Sequence, residues 1–211
     1  MVTDKVKVDG WGIGMDDALE LTEKFAEYKG LDHKTALRLR LLTEESLSMV
    51  TAIAEDFDAE FWIECTSDNV AKIHLMAVTD MDYNKKQELI AASKNKSNQA
   101  SVGFMGKIRE LIEDSIYTMD EVGRLQTASD GSSFKYSTMG VSDVSMLQAD
   151  DFMWSLELYR ANVDKVKSEN MAARAAWDEL EKSIVANIAD DVKVSVKGNN
   201  VELVIEKKLS E

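Results

Sequence analysis

Proline is absent from the 211 residues and cysteine occurs once. With no proline there is no Pro-rich linker to divide the chain. A lone Cys65 excludes an internal disulfide and any CxxC-type zinc site. Long apolar runs are missing too: none approaches the ~20 residues of a bilayer span, and the best stretch, 73–78, is interrupted by His74. Residues 1–5 show no basic stretch followed by an apolar one, so no secretory signal is visible and a cytosolic location is expected. The two histidines, His33 and His74, have no Cys or His companion at ligand spacing, so no metal site is expected. Positive charge is scarce: 25 Lys and Arg face 39 Asp and Glu, a net charge of −14. Nucleic acid and anionic membrane would be repelled, and neither is expected as a partner.

What is present suits one soluble domain: 45% hydrophobic residues are enough for a core and 30% charged residues for its surface. The charge is uneven. Residues 85–109 hold six bases (Lys85, Lys86, Lys94, Lys96, Lys107, Arg109) against Glu88, so that window carries +5 and the remainder −19. Such an island serves as a solvated surface or as a phosphate contact.

Residues 3–8 read as a short strand, and Gly10, Gly12 and Gly14 as a flexible turn around Trp11. Asp16 or Asp17 is the expected cap of a helix ending near Lys29, with Leu21, Phe25 and Tyr28 at helical spacing and Gly30 as its stop. Asp32 caps a longer helix to about Glu55. Ala59, Phe61, Ile63 and Cys65 alternate with polar partners, which predicts a strand with Cys65 as a core thiol. Ser67-Asp68-Asn69 is a turn, and Ile73, Leu75 and Ala77 continue the period of two. A loop at 80–84, a short helix at 85–93, a polar loop at 93–101 and a helix after Gly106 follow. Residues 127–145 read as a loop, and Trp154 to about Ala189 as helix, broken near 168–170. The end is a hairpin of Val192, Val194, Val196 and Val201, Leu203, Ile205 around Gly198-Asn199-Asn200. The expected fold class is an α/β (α+β) two-layer sandwich: a mixed, mostly antiparallel sheet of about five strands with helices on one face.

On the long helix, a 100° wheel gathers Leu39, Leu42, Leu47, Met49, Val50 and Ile53 in one arc, with Glu45 at its edge and Glu44 pointing away. A carboxylate at the rim of a core reaches a cleft without full burial; the commoner role for a single Glu is a solvated acid. Asp80-x-Asp82-x-Asn84 begins like a calcium loop, but Lys85 and Ala91 stand where Gly and Glu are required. No Ser-His-Asp arrangement is assignable.

Leu41-Leu42-Thr43-Glu44-Glu45-Ser46-Leu47-Ser48-Met49-Val50 on a helix, Thr79-Asp80-Met81-Asp82-Tyr83-Asn84 after the second strand, and Val102-Gly103-Phe104-Met105-Gly106-Lys107-Ile108-Arg109 before another helix form an ordered set. It resembles the ATP-binding domain of the GHKL superfamily, above all the anti-sigma-factor kinases, whose N-box, D-x-G-x-G loop, lid and Gly-rich turn come in this order. The resemblance covers about 3–115 and 190–208 and leaves 116–189 as a helical insertion within a single domain, 1–211. It implies Glu45 as the catalytic base. It implies a nucleotide site of Asp80, Asp82, Asn84, Lys94, Lys96, Gly103, Gly106 and Lys107, with Asp80 reading the adenine amino group and the glycines admitting phosphates. ATP or ADP is the implied ligand. The family's Mg²⁺-binding Asn is Met49 here, a soft thioether in place of a hard oxygen donor, so Mg²⁺ is not expected there. Asp82 and Asn84 replace both glycines of D-x-G-x-G. The implied role is regulatory, as an ATPase or serine-protein kinase of anti-sigma type, with a sigma-factor-like or other protein partner or a second copy of the chain. The other reading is an interaction module of the same fold that binds no nucleotide. For it, Trp154, Leu158, Trp177, Leu180 and Ile184 offer a contact face, although a core role is the commoner one for each.

Overall fold

A computed structural model describes residues 1–53, 57–79, 151–168, 171–197 and 200–209. The chain runs β1 (Val6–Asp9), α1 (Met15–Tyr28), α2 (His33–Ile53), β2 (Phe57–Cys65), β3 (Val70–Thr79), β4 (Asp151–Ser155), α3 (Leu156–Val166), α4 (Met171–Lys182), α5 (Ile184–Ile188), β5 (Asp191–Lys197) and β6 (Asn200–Lys208).

Among the described residues six strands form one sheet in the order β1-β2-β3-β6-β5-β4. Each pairing among them is antiparallel. The structure is thus α+β with an antiparallel sheet; against the expected mixed, mostly antiparallel sheet of about five strands, the described residues add one strand and show no parallel pair. The added strand is β4, which lies where the sequence reads as loop followed by helix. Phe152-Met153-Trp154 has no clean alternation and runs straight into a helix, so only pairing with β5 reveals it; Trp154 faces Val194 in register.

Cross-strand rows explain the core. Val6, Phe61, Leu75, Leu203, Val194 and Trp154 are successive register partners from one sheet edge to the other. The row beside it holds Ile63, Ile73, Ile205 and Val192, all essentially inaccessible to solvent. Alternate residues of each central strand are buried and those between them half-buried, as the period of two dictates. Onto this apolar face pack Ala18 and Phe25 of α1, Leu39, Leu42 and Leu47 of α2, Leu156 of α3, Leu180 of α4 and Val185 of α5, in one cluster. Residues 151–189 thus supply both an edge strand and core helices.

Local signals set the helix ends. Gly30, at φ 63°, terminates α1: its N–H donates to Glu27 O, and the N–H of Leu31 to Ala26 O, the paired bonds of a left-handed helix stop. Asp32 caps α2 by accepting from the N–H groups of Lys34 and Thr35. The start of α1 differs from expectation. Asp16 and Asp17 lie inside its first turn, and the cap position is Gly14, at φ 80°. Tyr28, expected on the apolar side of α1, is exposed.

Candidate functional site

The N-box-like helix is the part of the expected site within the described residues. α2 packs against α1, β3, β6 and α5. Among its described side chains the buried ones are Thr35, Leu39, Leu42, Thr43, Ser46 and Leu47. These recur at steps of three and four and include three hydroxyl residues, so the inner face is more polar than the apolar arc suggests. The polar members are satisfied: Thr43 Oγ1 and Thr22 Oγ1 lie 3.1 Å apart, Thr22 Oγ1 donates to Ala18 O, and Ser46 Oγ donates to Thr43 O. Hydroxyls that meet between α1 and α2 tie the two helices together without leaving a donor stranded.

Glu44 and Glu45 flank this inner face, and both are half-buried. Glu44 Oε1 accepts from Arg40 Nε at 3.1 Å, and Arg40 also pairs with Glu23 of α1. Glu44 is therefore tied up in a bridge between helices. Glu45 makes no hydrogen bond or ion pair with any described residue. Of the two adjacent acids, the one matched to the family base is the one left available. The sequence signal for this is Arg40, four residues before Glu44 at the spacing of a helical ion pair.

Asp80, Asp82, Asn84, Lys94, Lys96, Gly103, Gly106 and Lys107 lie outside the described residues, as does the Met49 side chain.

The sheet face opposite the helices holds a cluster that sequence reading left as an isolated histidine. The Trp62 and His74 rings, register partners on β2 and β3, stack at 4.7 Å and 5°. Lys5 Nζ stands 4.5 Å from the Trp62 ring centroid and is ion-paired with Glu60. Glu64 and Glu202 approach the two ring nitrogens of His74 at 3.5 Å without hydrogen-bond geometry. Counting outward from the turn at 67–69 pairs residue 62 with 74, which is how the sequence could have shown this stack. Nearby, Glu206 accepts from Lys193 Nζ at 2.7 Å and lies 3.5 Å from Lys72 Nζ. Burial would raise its carboxyl, but these two ammonium groups outweigh that and hold it below the ordinary value. Among the described residues no group of three or more His, Cys, Asp or Glu is arranged to hold a metal ion, and no helix is long and apolar enough to cross a membrane.

The apolar set from the C-terminal part does not form one face. Trp154 belongs to β4 and packs on the core, Leu180 is buried within it, and Trp177 is half-buried under Lys167. Leu158 and Ile184 are exposed.

Comparison of the chain with protein-family models, with curated proteins and with solved structures gave no match.

Proposed function

We propose that the chain is a cytoplasmic, regulatory nucleotide-binding protein of GHKL type, resembling the ATPase domains of anti-sigma factors and histidine kinases. The observation that carries this reading is Glu45: half-buried at the rim of a helix packed on the central strands, and free of the ion pair that occupies its neighbour Glu44. A carboxylate so placed serves as a general base toward a hydroxyl or water, since it is partly desolvated and paired with no cation among the described residues. The order of segments supplies the remaining roles. Asp80 would accept from the adenine amino group, and Gly103 and Gly106 would admit the phosphates to backbone N–H groups. Lys94, Lys96 and Lys107 would balance the phosphate charge. Asp82 and Asn84 would line the same loop.

Isothermal titration with ATP and ADP, with and without Mg²⁺, tests this. Both nucleotides should bind, with little dependence on Mg²⁺ because Met49 replaces the hard ligand. Asp80→Asn should weaken binding by about 1–3 kcal/mol. Glu45→Gln should leave affinity intact and remove any phosphate release. No measurable binding, or unchanged affinity in Asp80→Asn, overturns the proposal.

A second reading, an interaction module of this fold without nucleotide chemistry, is favoured by Met49 and by the loss of both D-x-G-x-G glycines. Absence of heat with either nucleotide selects it.

A further inference from the structure

The loop from β1 to α1 reads Asp9-Gly10-Trp11-Gly12-Ile13-Gly14, and it holds two large apolar side chains in solvent: Trp11 is 75% exposed and Ile13 69%. One exposed apolar residue is ordinary; two on a braced loop are less so. The bracing is specific. Asp9 Oδ1 accepts from the N–H of Trp11 at 3.0 Å and of Ile13 at 2.9 Å. The Asp9 N–H donates to Ile13 O, and the Gly12 N–H donates to Asp9 O. Gly14 passes so close to β1 that a Cβ would stand 1.9 Å from Lys7 O. The backbone beneath Trp11 is thus ordered by the fold, so presenting the indole to a partner adds little ordering cost on binding. A pinned, protruding aromatic is the kind of anchor that dominates interface energetics.

The surroundings define the partner's chemistry. Asp16 and Asp17 follow directly in the first turn of α1, and both are exposed. Lys7 is the exposed base on the adjoining strand, while Lys5 is committed to Glu60. An apolar knob with an acidic border repels an anionic phospholipid surface or a polynucleotide and complements an apolar surface edged by Lys and Arg. We propose that this loop is a protein-docking site for an amphipathic basic helix of a partner protein. The apolar stripe of that helix would cover Trp11 and Ile13, and its bases would face Asp16 and Asp17. The site does not depend on nucleotide binding.

A fluorescein-labelled peptide with Leu at helical positions i, i+3, i+4 and i+7 and Lys elsewhere provides the probe, titrated with the full chain by fluorescence anisotropy. The Lys peptide should bind, and Trp11→Ala and Ile13→Ala should each weaken it at least tenfold. Asp16→Asn/Asp17→Asn and added salt should weaken it as well. Circular dichroism should show each variant folded, since all four side chains are exposed. The same peptide with Glu for Lys should not bind. Failure of the Lys peptide to bind, equal affinity in Trp11→Ala and Ile13→Ala, equal binding of the Glu peptide, or partition of the chain onto phosphatidylserine vesicles would each overturn the proposal.

Discussion

At Gly14 the backbone carries two constraints: a left-handed φ of 80°, and the carbonyl of Lys7 where a side chain would begin. Ala at this position meets both the φ penalty and a backbone clash, and the clash is relieved only by moving α1 off β1. Gly14→Ala should lose about 3 kcal/mol or more of stability, read as a lowered urea midpoint with unchanged slope. Gly30 contrasts with it. Its φ is also positive, but nothing stands within 4 Å of an added Cβ, so the cost there is limited to the backbone conformation. Asp191 shows the same residue-scale logic for a polar group. Nearly buried, its Oδ1 accepts from the N–H groups of Glu157 and Val192, joining the start of α3 to the start of β5.

At the scale of elements, charge ties the two strands of the C-terminal hairpin to each other and, through Lys72 and Glu206, ties β6 to β3. Asp190 accepts from the N–H of Lys208 at 2.7 Å and from Lys207 Nζ at 3.1 Å. Burial would raise this carboxyl, yet the Lys208 N–H and the Lys207 ammonium lower it overall, and Glu206 is lowered in the same way by Lys193 and Lys72. A carboxyl depressed in the folded state stabilises the fold above its unfolded pKa, about 4, and that contribution disappears as pH falls through the folded value. Urea midpoints should therefore be level near neutrality and drop below about pH 5. Glu206→Gln should flatten part of that acid limb. A variant whose acid limb matches the wild type would show that these ion pairs contribute nothing. Lys193 acts in the opposite direction: the hydrogen bond to Glu206 raises its pKa, so its contribution is present below its unfolded pKa and is lost only in strong alkali.

For the whole molecule, the decisive contact is β3 with β6, which pairs Val70 with Lys208 and Val78 with Asn200. Two hairpin-like halves, β1-β2-β3 and β6-β5-β4, meet along this line, so the sheet is complete only when both ends of the chain are present. Closure over so many residues is entropically costly and is repaid by the buried row of Leu75 and Leu203. Native-state hydrogen exchange should find the slowest amides in β3 and β6, near Leu75 and Leu203, and the fastest of the strand amides in the edge strands β1 and β4. Deleting 200–209 should abolish the cooperative transition rather than lower its midpoint.

Much of this was legible in the chain. The alternation Ala59, Phe61, Ile63, Cys65 marks β2, and the C-terminal Val-rich alternation marks β5 and β6, because each requires only that neighbouring residues face opposite sides. Asp32 and Gly30 likewise announce helix ends through bonds spanning a few residues. Of the candidate site, Glu45 was placed at the edge of its helix. Its availability was not visible, because that depends on Arg40 turning to Glu44 and to Glu23 on another helix.

Sequence alone therefore determined the local periods, the stop of α1 and the alternating core side chains of β2, β3, β5 and β6, all set by steric and hydrogen-bonding rules within a turn or a pleat. Tertiary structure alone decided the strand order, the pairing of β3 with β6, the strand hidden at Asp151–Ser155 and the solvent exposure of Trp11. Each of these depends on which distant segment supplies the facing surface, and that is fixed only when one apolar sheet face is buried as a whole.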